Sequence, residues 1–541
     1  MSNKRTVLVA SILGSGIVFL DGTIVNVALP SIRASLHGGL ADQQWVVEAY
    51  LLTLSSLLLV GGSLGDLLGR RRVFAAGLVG FGACSLLCAV APSSGFLIAA
   101  RAVQGIAGAL LVPSTLALIM DAFAERERAA AIGSWTAWTG VATVIGPLGG
   151  GALVQAASWR WIFAINLVPV AITLVLLRRL EQDHREPGHV DALGACLCAL
   201  GLGGPVFALI EQPGYGWASA RVAVPLIVGA LLLGGFLAWE RRSPAPMMPL
   251  ALFAVRNFAV GNVTTLMVYA GLGATTFFLV LFIQQVGAYT PLQAGLSLLP
   301  ITILIFTLSR RFGALADRFG PHAFMAGGPL VAGAGLLALV RTGASAAYWT
   351  TILPGVVLFG LGMAATVAPL TATVLGAVRP GHSGLASGVN NAVARVAGLL
   401  AIAAIGAVVS GSFASRLDHD LAGRIHSPQA QAAIARARAK PLVINAGGVP
   451  AAERASVHAA LTDASVHAFR LGIGIGAGLA ACGGLVALLG IENPRRRVRS
   501  TDCPGGALAG ASAELAATAD LGAAGAEALT DPLPAGGVSS Q

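Results

Sequence analysis

Fourteen stretches of the chain are almost purely apolar and run for about 20 residues or more, with short polar breaks between them. Their approximate limits are 6–30, 45–65, 73–92, 96–119, 129–152, 161–180, 191–211, 221–239, 258–283, 291–310, 324–341, 350–374, 384–411 and 468–491. Within each run the apolar residues are continuous rather than alternating. That excludes a membrane barrel, whose strands alternate, and predicts helices, which satisfy their own backbone hydrogen bonds in lipid. The expected fold class is an all-α membrane protein with fourteen transmembrane helices. One long break, 412–467, is polar and of mixed charge, and 428–439 and 450–467 read as short amphipathic helices. From about residue 493 the chain is basic and then rich in Ala, Gly, Ser and Pro. That composition predicts a disordered tail over 493–541.

Composition agrees with burial in a bilayer. Of 541 residues, 56% are hydrophobic and only 11% charged. The net charge of +10 is spread over the ends of the runs instead of forming one patch, so it reads as a topology signal and excludes a nucleic-acid surface. Counting from a cytosolic N-terminus, the short inner breaks hold Arg70, Arg71, Arg72, Arg126, Arg128, Arg178, Arg179, Arg185, Arg241, Arg242, Arg256, Arg310, Arg311, Arg318 and Arg379. The tail adds Arg495, Arg496, Arg497 and Arg499. The short outer breaks hold only Arg33, Arg160, Arg221 and Arg341. Both termini are therefore predicted to be cytoplasmic, in a plasma-membrane protein. The basic start (Lys4, Arg5) precedes too long an apolar run, with no small-residue cleavage site, to be a removable leader. The cysteines Cys84, Cys88, Cys196, Cys198 and Cys482 lie in apolar runs and Cys503 in the tail; Cys84 and Cys88 share a helix face with no His or acid nearby. They read as packing residues, and no metal site is expected. No phosphate-binding loop, His-Glu-x-x-His or Cys-x-x-Cys pattern occurs, so neither an enzyme nor a cofactor is expected.

An internal repeat organises the runs. Gly62-Ser-Leu-Gly-Asp66-Leu-Leu-Gly69-Arg70 follows the second, and Gly313-Ala-Leu-Ala-Asp317-Arg-Phe-Gly320-Pro321 follows the tenth. An offset of eight leaves two six-helix bundles flanking an extra pair. The predicted boundaries are a first bundle over 1–180, an inserted pair over 181–245, a second bundle over 246–411 completed by 468–492, and an extracytoplasmic loop over 412–467. Paired six-helix bundles are a transporter design with a central site at their interface.

Charges inside the apolar runs are the candidate chemistry. Asp21 stands alone in the first run. A carboxylate there costs on the order of 3 kcal/mol on insertion scales. It is either a helix cap at the surface or a protonatable site in a transport path. At 1.5 Å per residue, Asp21 is about 21 Å from the inner end of its helix. It is therefore about 9 Å below the outer edge of a ~30 Å core. Arg101 in the fourth run reaches a similar depth, about 9 Å, so the two are able to pair. A neighbouring arginine favours the charged carboxylate and burial the neutral acid. Glu48 lies somewhat shallower and is a second proton-site candidate or an interfacial residue. For Arg101 the other reading is snorkelling to the outer interface.

These residues sit in motifs. Gly62, Asp66, Gly69, Arg70 and Arg71 resemble the signature between helices two and three of the major facilitator superfamily, with Asp317 in the second copy. Arg101-Ala-Val-Gln104-Gly105 resembles its intramembrane arginine motif. Gly140 with Gly146-Pro147-Leu148-Gly149-Gly150-Gly151 resembles its antiporter motif, and Trp159-Arg160-Trp161, Asn166, Gln284-Gln285 and Pro291-Leu-Gln-Ala-Gly295 match one branch of it. The chain is identified over 6–491 as similar to the fourteen-helix drug:proton antiporters, departing from the pattern at Leu67 and Ala142. The resemblance implies an exporter: a small hydrophobic or cationic substrate leaves as protons enter through Asp21, Arg101 and Glu48, with the Gly62–Arg71 motif gating the inner side. It implies a monomer whose partners are lipid, substrate and protons. An uptake symporter or facilitator of the same fold is the alternative. Candidate cavity-lining residues are Tyr50, Trp138, Asn166, Tyr269, Asn390 and Arg395, each with ordinary helix packing as its other reading.

Overall fold

The computed structural model describes residues 3–179, 190–244, 246–378, 383–422 and 424–493. Arg185, Arg379 and the basic tail residues from Arg495 onward, with the predicted disordered tail beyond them, lie outside these. Among the described residues the secondary structure is helical. The first six-helix unit is built from α1 (Asn3–Leu36), α2 (Leu40–Leu68), α3 (Arg70–Ala89), α4 (Ser94–Ala122), α5 (Glu125–Ala156) and the pair α6 (Trp161–Ala164) and α7 (Leu167–Leu177). The inserted pair is α8 (Ala192–Tyr215) and α9 (Ala220–Arg242). The second unit comprises α10 (Arg256–Gln285), α11 (Pro291–Phe319), α12 (Pro321–Leu339), α13 (Leu353–Gly376), α14 (Ser383–Leu421) and α16 (Ala451–Gly490), with α15 (Pro428–Arg438) between the last two. Thirteen described helices are long and apolar enough to cross a membrane, and Trp161–Leu177 is a shorter apolar segment broken at Ile165–Asn166.

The repeat is geometric as well as sequential. Gly69 (φ +102°) joins α2 directly to α3, and Gly320 (φ +90°) joins α11 directly to α12. Both backbone angles favour glycine. The break expected after the second run is narrower than its motif: Gly62–Leu68 completes α2, and only Gly69 leaves the helix. The long polar break differs too. Residues 412–421 extend α14, and the predicted helix over 450–467 is continuous with the last span as α16. An apolar seam of Leu417, Leu421, Ile434, Val457, Leu461 and Ala464 buries these extensions against α15. That burial favours packed helix over solvated loop.

Each unit packs through close backbone approaches. In the first, α2 lies on α4, α3 on α4 and α1 on α5; in the second, α12 lies on α13 and α16, and α11 on α13. The units meet along α5–α11 and α2–α14. Gln44 donates to the Ile402 carbonyl at 2.7 Å, and Gln284 to the Val27 carbonyl at 3.0 Å. A Cβ on Gly151 would lie 2.7 Å from the Leu292 Cα and the Pro291 carbonyl oxygen. These cross-unit anchors lie toward the end of the bundle that carries α15. The inserted helix α8 packs on both α2 and α14, joining Val206 and Ile210 to Leu399 and Ala403, with Trp45 Nε1 donating to Glu211 at 2.9 Å.

Replacing Gly69 or Gly320 by Ala should cost about 1–3 kcal/mol of stability, because both hold glycine-type backbone angles. Thermal unfolding of the detergent-solubilised protein measures this. Gly327→Ala, at a helical site with nothing within 4 Å of a new methyl, is the matched control and should be near neutral.

Candidate functional site

The fold brings the two isolated charges of the first unit into contact. Arg101 Nη1 on α4 forms an ion pair with Asp21 Oδ2 on α1, and the two side chains are 1% and 0% exposed. In so dry a place every lone pair needs a partner. Asp21 Oδ1 accepts from Asn166 Nδ2 at 2.9 Å and from Gln104 Nε2 at 3.3 Å. Gln104, one helical turn after Arg101 on the same face, also accepts from Arg101 Nη1 at 2.8 Å and donates to Ser85 Oγ at 2.9 Å. Arg101 Nε donates to the Val46 carbonyl at 3.0 Å. The guanidinium carbon lies 4.1 Å from the Tyr50 ring centroid and 5.7 Å from that of Phe163. Aromatic faces of this kind stabilise a cation that water does not reach.

Local structure explains the placement. The break between α6 and α7 sets Asn166 where its amide turns into the bundle. Gly105 lets α4 lie against α2: a Cβ there would collide with the Tyr50 carbonyl and Thr53. The antiporter-motif glycines hold the other side of α1. Gly146 faces Leu20 and Thr23, Gly150 faces Ile24, and Gly295 packs on the Pro147 carbonyl. Gly140 faces Phe306 at 3.9 Å, whereas a Cβ on Gly149 would meet only Ile145 of its own helix.

Other expected residues fall elsewhere. Glu48 is fully buried, and neither of its carboxylate oxygens has a hydrogen-bond partner; it joins neither Asp21 nor Arg101. Tyr50 and Asn166 do not line an open space. Both are 1% exposed, because one lies under the guanidinium and the other caps the carboxylate. Trp138 is exposed and Tyr269 half-buried. Asn390 donates to Thr265 Oγ1 at 2.8 Å and Asn262 Oδ1 at 3.2 Å, tying α14 to α10. Arg395 is half-buried and lies against Phe19. At the Gly69 turn, Arg70 Nε donates to Asp66 Oδ1 at 3.0 Å and Nη1 pairs with Asp121 at the end of α4, so one arginine ties together α2, α3 and α4. Arg71 follows it in α3, and Asp317 lies one turn before Gly320. Ser85 and Asp121 escaped the sequence reading. Gln104 was visible within the arginine motif, and its spacing from Arg101 places it on the same helix face.

Residues 11–402 match the family model described as Major Facilitator Superfamily. The chain is 36% identical over 420 residues to the puromycin resistance protein of Streptomyces alboniger, covering 76% of this chain and 83% of that one. It is 34% identical to the multidrug resistance protein Stp of Mycobacterium tuberculosis, covering 78% of this chain and 79% of that one. It is 33% identical to the tetracenomycin C resistance and export protein of Streptomyces glaucescens, covering 74% and 75%. In fold it resembles a bacterial homologue of the human lysosomal transporter Spinster in an inward-facing, unoccupied conformation (TM-score 0.61, 16% identity, 91% of this chain and 99% of that one). It also resembles the peptide transporter POT in complex with sulfate (TM-score 0.58, 15% identity, 90% and 94%).

Removing one partner of a buried ion pair strands the other, typically at about 3–5 kcal/mol. Arg101→Met should therefore sharply lower the yield and thermal midpoint of solubilised protein. Adding Asp21→Asn to that variant should recover most of the loss, and additive effects of the two changes would show that they do not interact.

Proposed function

The chain belongs to the Major Facilitator Superfamily, and from that premise we propose that it exports hydrophobic or amphipathic drugs or natural products across the plasma membrane, driven by protons and by alternating access. The observation that carries the reading is the sealed Asp21–Arg101 pair, held by Gln104 and Asn166. One cation and two amide donors hold the carboxylate. Its protonation breaks the charge pairing and releases Arg101 to other acceptors. Proton arrival at Asp21 thus changes how α1 is tied to α4 and the α6–α7 break, a local event able to bias a two-state carrier. Asp21 lies within one turn of Leu20, Thr23 and Ile24, the face that packs on Gly146 and Gly150 of α5. Since α5 also carries the contact with α11, a change at Asp21 has a short packed route to the seam between units.

The direction of export is supported by the relatives, several of which are named for resistance and export. The arginine asymmetry supports cytoplasmic termini, with the Gly69 and Gly320 turns inside and α15 outside. In that orientation the Arg70–Asp66–Asp121 cluster is an inner latch, and the anchors at Gln44, Gln284 and Gly151 close the outer end. Glu48 is a second proton site in this reading, a fully buried carboxyl group with neither oxygen hydrogen-bonded. The protein acts as a monomer.

Everted membrane vesicles from a pump-deficient host test this. Acidifying the vesicle interior should drive uptake of a panel of hydrophobic dyes, and a protonophore should abolish it. Asp21→Asn should reduce gradient-driven uptake to background, with uptake normalised to the amount of variant protein in the membrane. Uptake that needs ATP, or that survives in Asp21→Asn, contradicts the reading.

A further inference from the structure

Asp21, Glu48, Arg101 and Arg395 are charged side chains set within the apolar runs. Three of them are sealed, at 0%, 0% and 1% exposure. Arg395 differs. It lies on α14, half-buried, and its guanidinium carbon is 5.7 Å from the ring centroid of Phe19 on α1, so it reaches across the seam between the two units. Counting from Ser383 at 1.5 Å per residue, it is about 18 Å along the helix, near the middle of a ~30 Å core. Its Nε has no hydrogen-bond partner, and it forms no ion pair among the described residues. Asp21 does not serve it, because both Asp21 oxygens are already occupied by Arg101, Gln104 and Asn166.

An uncompensated guanidinium at mid-membrane is costly and marks a function. The expectation of a cationic substrate requires an accessible acid in the centre, and both acids there are closed off. Of the four charges, the one that is part-exposed is positive. A guanidinium presents a planar fork that matches a carboxylate or another flat oxyanion, and a phenyl face beside it suits a fused ring system.

We propose that Arg395 recognises an acidic substituent, a carboxylate, phenolate or enolate, on the amphipathic molecule this protein carries, with Phe19 as the apolar wall for its ring system. This rests on the exporter reading and gives its substrate class. The competing account is that Arg395 only anchors α14 to α1 through its contact with Phe19.

Equilibrium dialysis of the purified full-length protein in detergent separates the two, using anthraquinone-2-carboxylate and its methyl ester as probes. The wild type should bind the acid about tenfold or more tightly than the ester, the range of a charge-assisted hydrogen bond. Arg395→Gln should bring the acid to the level of the ester and leave the ester unchanged, and Arg395→Lys should keep part of the preference. Equal binding of acid and ester by the wild type overturns the proposal, whatever the variants do. So does equal weakening of both probes in Arg395→Gln, the result expected of an anchor. Dialysis needs no gradient, so an acid preference without gradient-driven transport contradicts the exporter reading alone. Gradient-driven transport of neutral dyes without an acid preference contradicts only this inference.

Discussion

A carboxylate and a guanidinium buried together where water does not reach impose the strictest requirement in this molecule. Either one alone in hydrocarbon is expensive, and their mutual attraction offsets desolvation only if the remaining lone pairs and protons are also bonded. Meeting that condition for Asp21 and Arg101 draws in α1, α2, α3, α4 and the α6–α7 break, through Val46, Ser85, Gln104 and Asn166. Five segments of one unit are thereby committed to a single arrangement around one titratable group. In the proposed mechanism a proton arriving there would act on all of them together, whereas the same proton on a surface acid would move little.

In the proposed mechanism the rest of the structure would translate that local event. Glycines place backbones in near contact at the joints that matter: Gly105 between α4 and α2, Gly146 and Gly150 between α5 and α1, and Gly151 and Gly295 between α5 and α11. Without a hydrophobic driving force between helices in lipid, such close packing is what holds the joints. It also makes them sensitive to small displacements, since close-packed interfaces switch between arrangements more readily than they deform. The inserted helix α8 touches α2 and α14 alike and so lies along the seam between the two units.

Much of this was readable from residue order. Continuous apolar runs marked the spans, because in lipid the backbone has no alternative to helix. The spacing of Gly62, Asp66 and Gly69 against Gly313, Asp317 and Gly320 exposed the repeat, and both glycines hold the same kind of turn. Equal depths allowed the Asp21–Arg101 contact. Facing direction was not readable. Tyr50 and Asn166 are polar marks in apolar runs, and depth alone does not separate a residue that seals an ion pair from one that lines a cavity. Asp121 and Ser85 matter only through what the tertiary fold sets beside them. The extensions of α14 and α16 were hidden because their charged outer faces masked an apolar seam at helical spacing.

The account stands on Asp21 as the group that exchanges its proton for substrate. The direct measurement is pH change in a weakly buffered solution of the purified protein in detergent, followed as the best-transported dye is added. Release of protons by the wild type, matched to dye bound, and none by Asp21→Asn with dye binding retained, is the predicted result. Equal release by both proteins would contradict it and move the proton site away from the Arg101 pair.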